Sequence, residues 1–118
     1  GLARFLVYFL GHIGRVAREP GNFVPGLCRC LRSPNDDLVS SALEALERAF
    51  RFWRKEQHEQ EQNFVVEFEK AGGFDILEDL QGEAPIEGVT YSLAQHIVGN
   101  YLGVATIEEL HVPAQQKT

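Results

Sequence analysis

Three residues in the middle of this 118-residue sequence have side chains that could hold a metal ion. His58, Glu59 and Glu61 offer one imidazole and two carboxylates within a single helical turn. A zinc-protease helix also needs a second histidine four residues after the first, and Gln62 stands at that position. No remote set of ligands is evident. We therefore expect a solvated, charged helix face here, and we predict no metal and no cofactor.

The two cysteines, Cys28 and Cys30, are separated by one residue. On a helix this spacing directs the thiols to nearly opposite faces, so they can neither form a disulfide nor chelate a metal together. Cys28 is expected to be a small buried apolar residue. Because neither cysteine looks like a disulfide staple, the sequence favours a reducing compartment, and we predict a cytoplasmic and nuclear location.

Catalytic signatures are missing from the sequence. His12 and His96 have no cysteine or carboxylate partner at a catalytic spacing, so each is expected to be a surface or hydrogen-bonded histidine. The sequence contains no phosphate-binding loop, no Gly-x-Ser-x-Gly and no kinase signature. These absences predict a protein that is not an enzyme.

Charge and hydropathy narrow the classes of partner. The net charge is −6 and the isoelectric point is near 5.1, which argues against nucleic acid as the main ligand. The apolar opening Leu2–Leu10 is too short to span a bilayer, so no membrane span is predicted. Arg51, Arg54 and Lys55 form a cationic edge beside Trp53. This edge could take an acidic partner segment, or it could complement the dipole at a helix C-terminus.

Apolar residues recur at positions i, i+3, i+4 and i+7, which predicts an all-α protein. The predicted helices position the candidate side chains described above. A polar stretch, Lys55–Asn63, is expected to be a solvated helix end or a loop. Asn35 or Asp36 is expected to cap the long helix. The predicted helices are Leu2–Leu10, His12–Glu19, Phe23–Leu31, Asp37–Glu56, one containing Phe64–Ala71, a short one from Phe74 to Leu80, one from Ile86 or Val89 to Tyr101, and a last turn from Thr106 to His111.

The stretch 64–81, FVVEFEKAGGFDILEDLQ, organises the chain. A buried helix face is predicted at Phe64, Val65, Phe68 and Ala71. Gly72-Gly73 then ends the helix, where a left-handed residue is expected, and the next helix starts at a sharp angle.

Three segments resemble the C-terminal armadillo repeats of importin-α. FEKAGGFDILEDLQ is similar to the segment opening the last repeat, GNFVPGLCRCLRSPND to the opening of the preceding repeat, and SLAQHIVGNYLG to the final long helix. The resemblance implies an armadillo-type right-handed α-α superhelix of two to three stacked repeats. It divides the single domain into a partial repeat (1–20), a repeat (21–56), a terminal repeat (57–103) and a C-terminal tail (104–118). The two units lie roughly 50 residues apart, against a typical period of about 40–47.

The resemblance further implies a non-catalytic, protein-binding adaptor in nucleocytoplasmic transport, whose partner is a cargo or an export receptor. In this family a Trp and, four residues later, an Asn line the groove; the matching pairs here are Glu44 with Arg48, and His96 with Asn100. Only Asn100 keeps the family residue type, so binding of a nuclear localisation signal by these repeats is not expected. These four residues and Arg51 are the predicted partner-binding residues.

Three alternatives stay open from the sequence. Glu44 and Arg48 are four residues apart and could simply pair on a solvated face. The chain could be a generic armadillo or HEAT-like scaffold outside nuclear transport. It could also be a helical bundle that associates with itself through Leu2–Leu10, because a helix so apolar needs a cover; a solenoid cut within a repeat would explain the same feature.

Overall fold

The computed structural model describes residues 1–84 and 88–102, and this part of the chain is helical without any strand. Seven α-helices are joined by short turns, a 3₁₀ turn (Pro20–Asn22) precedes α3, and a π-helical turn (Val98–Leu102) follows α7. The prediction of an all-α protein is confirmed. The helices are α1 Leu2–Gly11, α2 Ile13–Arg18, α3 Val24–Leu31, α4 Asp36–Glu56, α5 His58–Lys70, α6 Gly73–Glu83 and α7 Val89–Ile97.

Local signals set most of the helix ends. The predicted break after the first helix is confirmed, because α1 ends at Gly11 and α2 begins at Ile13. Asn35 caps α4: its side-chain oxygen accepts a hydrogen bond from the backbone N–H of Leu38 at 3.2 Å. Pro25 lies in the first turn of α3, where no intrahelical donor is lost.

The double glycine between α5 and α6 behaves largely as predicted. Gly72 has φ = +86°, the left-handed conformation expected at this corner. Phe64, Val65 and Phe68 are buried on one face of α5. Burial of Ala71 was predicted wrongly: α5 ends one residue earlier, so Ala71 lies in the exposed turn.

The polar stretch Lys55–Asn63 differs from the prediction. Instead of a solvated helix end or loop, it contains a break at Gln57 and the first turns of α5, which begins at His58. The last long helix also differs, because its α-helical part ends at Ile97 and the helix continues as the π-helical turn through Leu102. The predicted start at Ile86 and the predicted turn from Thr106 to His111 lie outside the described residues.

Helix α4 is the centre of the packing. It contacts α1, α2, α3, α5 and α7, while α2 also packs on α5, α3 on α6, and α6 on α7. The buried apolar side chains of all seven helices form one continuous cluster. Phe50, Trp53 and Phe64 meet inside it with ring centroids 4.8–5.7 Å apart, and the indole of Trp53 donates a hydrogen bond to the carbonyl of Ile13 at 2.9 Å. Because α4 lies at the centre, its position decides which other helices its polar side chains can contact.

Candidate functional site: the α4–α7 surface

A mostly buried carboxylate, Glu47, organises the polar surface between α4 and α7. The Glu47 side chain is 12% exposed and forms an ion pair with Arg51 one turn further along α4. The hydroxyl of Tyr101 donates to Glu47 Oε2 at 3.1 Å, and His96 Nε2 lies 3.5 Å from the same oxygen. The Glu47 carboxylate therefore lies close to three side chains: one on α4, one on α7 and one in the π-helical turn.

The surroundings of Glu47 determine its charge. Burial alone would raise the pKa of Glu47, but hydrogen bonds from Arg51 and Tyr101, with the charges of Arg51 and His96, outweigh burial and hold this pKa below its ordinary value. Burial, followed by the hydrogen bond to Glu47 and its negative charge, raises the pKa of Tyr101. At neutral pH the pair is therefore a carboxylate that accepts and a neutral phenol that donates.

A groove of about 700 Å³ opens above this cluster, lined by Ser92 and Leu93 as well as by Glu47, Arg51, His96 and Tyr101. The side chains of Arg51 and His96 are 69% and 48% exposed. Arg51 can present its remaining N–H donors to a molecule in the groove while Glu47 orients it, whereas the two ring nitrogens of His96 face Glu47 and Asn100.

Asn100 joins the same surface but its amide is engaged. Its Nδ2 donates to the backbone carbonyl of His96 at 2.9 Å and lies 3.1 Å from His96 Nδ1. The structure therefore brings three predicted binding residues together (Arg51, His96 and Asn100). The amide of Asn100 is directed at its own helical turn, so it positions the imidazole of His96.

The other two predicted binding residues, Glu44 and Arg48, lie in a second groove, between α1 and α4. This groove of about 710 Å³ has an apolar floor that includes Leu6, Leu10 and Leu38. Glu44 and Arg48 are exposed, and they do not form an ion pair within 4.0 Å. Their polar groups are thus available along the rim.

Arg54 does not belong to a free cationic edge. Its Nη2 pairs with Glu61 Oε2 at 2.8 Å, its Nη1 donates to the carbonyl of Asn100 at 2.7 Å, and its guanidinium lies 4.9 Å from the ring centroid of Tyr101. Arg51 is likewise paired. Two of the three cations predicted to form this edge, Arg51 and Arg54, are therefore paired with glutamates of the chain itself.

Glu61 corrects the prediction of a solvated face at His58, Glu59 and Glu61. Its side chain is 0% exposed and is held by Arg54 and by His58 Nδ1 at 3.1 Å, whereas Glu59 is exposed. Periodicity could have found this burial, because Glu61 precedes Phe64 by three residues and so lies on the apolar face of α5.

Sequence reasoning missed Glu47 for a similar reason. This residue lies on the buried side of α4, four residues after Leu43 and three before Phe50, both fully buried. A carboxylate in such a stripe needs a partner. Arg51 at i+4 was a visible signal for one, whereas Tyr101 comes from 54 residues away.

The remaining candidate groups show no catalytic arrangement. Cys28 and Cys30 are both buried and unbridged, and burial raises the pKa of each thiol despite the nearby charges of Arg32 and Arg29. Such thiols are poor nucleophiles at neutral pH.

The described residues, 1–84 and 88–102, contain neither a metal centre nor a membrane-spanning helix. Among these, no three His, Cys, Asp or Glu side chains are grouped as metal ligands. None of the helices found there has the length and apolar character needed to cross a bilayer. Comparison with known protein families, curated proteins and solved structures finds no match to this chain.

Proposed function

We propose that this chain is a non-catalytic adaptor of the importin-α-like armadillo type, which holds a protein partner on the surface formed by α1, α4 and α7. The partner would be a transport cargo or the export receptor that recycles such adaptors, and the adaptor would work in the cytoplasm and the nucleus. Its two main repeats would be α2–α4 and α5–α7, so the first repeat would begin at Ile13 and not at residue 21 as expected from the resemblance.

The observation that carries this proposal is the order in which the helices pack. Each helix packs on the helix three places later: α1 on α4, α4 on α7, α2 on α5 and α3 on α6. Stacking of three-helix repeats produces this pattern, because equivalent helices of neighbouring repeats lie side by side. In such a stack α1, α4 and α7 are the third helices, whose surface lines the binding groove.

The chemistry of this surface suits a protein segment. Two grooves lie on either side of the exposed strip of α4, one with Glu44 and Arg48 on its rim and one with Arg51 and His96. The α1–α4 groove combines an apolar floor with exposed groups of both charges on its rim, and the α4–α7 groove adds the exposed guanidinium of Arg51 beside Leu93 and Tyr101. Arg51 is held in place by Glu47, so little side-chain entropy would be lost on binding.

A generic helical scaffold outside nuclear transport is the second candidate. It is favoured by Glu44 and Arg48, which stand where the resemblance calls for Trp and Asn. This scaffold would use the same surface but would not bind a transport receptor.

The test is a binding measurement between the immobilised chain and purified partners, namely the export receptor that recycles importin-α and a panel of nuclear cargo proteins. We expect at least one to bind, and Arg51→Ala to weaken binding by about tenfold, which corresponds to about 1.4 kcal/mol. Lys70→Ala is the matched control, because Lys70 is equally exposed at 69%, also pairs with a glutamate on its own helix, and lies on α5. Binding of none of these partners would contradict the transport role, and equal loss in both variants would contradict the proposed surface.

A further inference from the structure

The outer side of α1 carries an exposed apolar ridge beside a third groove, which shares Val7 with the α1–α4 groove. Val7 is 72% exposed and Tyr8 is 44% exposed. The groove has a volume of about 1010 Å³ and runs between α1 and the turn that leads into α3. It does not include any residue of the α4–α7 surface.

Aromatic rings form a prearranged platform in this groove. The ring of Tyr8 stacks on His12 at 4.0 Å and on Phe23 at 5.9 Å, and the hydroxyl of Tyr8 accepts a hydrogen bond from Arg15 Nη1 at 3.0 Å. Phe5 is wedged against α3, since a Cβ atom on Gly26 would lie 2.7 Å from its ring. The platform would therefore accept an apolar side chain with little rearrangement.

Positive charge surrounds the platform. Arg4, His12 and Arg15 line the groove, and no acidic residue does. Arg4 makes no ion pair with any residue in the described ranges. Arg15 pairs at 3.3 Å with Glu19, the one acidic residue among positions 1–32.

The groove also lies in the basic part of a polarised molecule. Residues 1–32 contain five arginines and one glutamate, a net charge of +4, whereas 33–84 and 88–102 contain five basic and 13 acidic residues, a net charge of −8. The groove therefore attracts a short acidic segment. A long polyanion such as a nucleic acid would be repelled by the rest of the molecule.

From these features we propose that the groove lined by Arg4, Tyr8, Arg15 and Phe23 binds an acidic segment of a protein partner, with an apolar side chain of that segment on the aromatic platform. The inference deepens the proposed function, on which it rests, by giving the chemistry of a partner at a second surface. Carboxylates of the segment pair with Arg4 and Arg15, and the apolar anchor covers Tyr8 and Val7.

The probe is a fluorescein-labelled peptide in which glutamates alternate with leucines and phenylalanines, titrated with the full chain and followed by fluorescence anisotropy. We expect saturable binding that weakens as salt is added. Two control peptides separate the two forces: one has lysines in place of the glutamates, and the other has serines in place of the apolar residues. Both are expected to bind at least about tenfold more weakly.

Two variants test the binding, and Arg4→Glu assigns it to this groove, because Arg4 lines this groove and not the α1–α4 groove, whereas Val7 lines both. Arg4→Glu and Val7→Asp change exposed side chains, so the fold is expected to persist, which far-ultraviolet circular dichroism checks. Each is expected to weaken probe binding by about tenfold. Arg29→Glu is the matched control for Arg4→Glu, because it reverses an equally exposed arginine on α3 that does not line this groove.

Three results would overturn the inference. The first is probe binding that is unchanged in Arg4→Glu or is lost equally in Arg29→Glu. The second is stronger binding of oligothymidine than of the acidic peptide, which would assign the groove to nucleic acid. The third is self-association that Arg4→Glu abolishes in sedimentation, which would assign the groove to a second copy of the chain. If no transport partner binds the chain while the probe binds and Arg4→Glu weakens that binding, the proposed transport role fails and the assignment of this groove is retained.

Discussion

At the scale of single residues, two buried carboxylates define the polar surface, and both are held by arginines of α4. Glu47 pairs with Arg51, and Glu61 pairs with Arg54. A buried carboxylate without its partner is costly. The pair of Glu61 and Arg54 joins α5 to α4, whereas Glu47 pairs on its own helix and reaches the turn after α7 through Tyr101. Glu47 and Arg51 line the open α4–α7 groove, and Glu61 and Arg54 do not. The contribution of each pair to stability can therefore be measured separately.

Replacement of Glu61 by Gln is expected to lower the free energy of unfolding by about 2 kcal/mol. Breaking a fully buried pair costs about 3–5 kcal/mol, but Arg54 is 44% exposed and can regain part of its hydration. Urea denaturation measures the change. Glu59→Gln is the control, since Glu59 is exposed on the same helical turn, and equal midpoints for the two variants would rule out the role given to Glu61.

Replacement of Glu47 by Gln is expected to cost about 1.5 kcal/mol at neutral pH, because the hydroxyl of Tyr101 loses a charged acceptor. The pKa of Glu47 is lower in the folded than in the unfolded chain. Its contribution is therefore complete above the ordinary carboxyl pKa of about 4.3 and disappears as the pH falls below that value. The difference between native chain and variant should shrink between about pH 7 and about pH 3 in urea titrations. A constant difference would refute this assignment.

The same variant should change Tyr101. Its pKa is raised partly by the hydrogen bond to Glu47 and by the carboxylate charge, so Glu47→Gln should lower the pKa of Tyr101. Carbon-13 NMR of labelled tyrosine follows the titration, and Tyr101→Phe identifies the resonance. An unchanged titration would mean that the phenol does not sense Glu47.

At the scale of the helices, the Gly72-Gly73 corner sets the angle between α5 and α6. The two glycines are needed for different reasons. Gly72 adopts φ = +86°, where a side chain is strained. Gly73 has ordinary helical geometry, but a Cβ atom there would lie 2.5 Å from the ring of Phe68.

Alanine at Gly73 is therefore expected to cost more than alanine at Gly72: about 2 kcal/mol for overpacking against a buried ring, compared with about 1 kcal/mol for the left-handed backbone. Gly82→Ala is the matched control in the same helix α6, since no atom lies within 4 Å of its added Cβ, and it should be neutral or slightly stabilising. Thermal unfolding followed by circular dichroism gives the order. A smaller loss at Gly73 than at Gly72 would show that Phe68 moves aside easily.

At the scale of the whole molecule, α4 contacts five other helices, and one apolar cluster runs through all seven. No group of helices has a core of its own. We therefore expect the chain to unfold in one cooperative step, although a stack of repeats can in principle unfold from its ends.

The sole tryptophan makes this expectation testable. Trp53 is fully buried and joins α4 to α2 through its hydrogen bond to the carbonyl of Ile13. Its fluorescence should change at the same urea concentration as the circular dichroism of all the helices. Two separate midpoints would show that the repeats unfold independently.

The sequence by itself determined the helical class, the break at Gly11 and the left-handed conformation at Gly72, and it limited the cap of α4 to Asn35 or Asp36. Each of these features depends on residues within a few positions of one another. Hydrophobic spacing predicts the helices, and the backbone freedom of glycine predicts the left-handed turn. The resemblance also indicated Glu44, Arg48, His96 and Asn100 as binding positions, and the cationic edge beside Trp53 indicated Arg51.

Only the tertiary structure decided what these residues touch. The contact between Glu47 and Tyr101 joins positions 54 residues apart, and Arg54 reaches both Glu61 and the carbonyl of Asn100. Such groups meet because whole helices pack against one another. No short-range sequence pattern specifies how those helices align. A charged residue therefore looked solvated in sequence although its partner lay on another helix, because burial of charge is set by the folded chain as a whole.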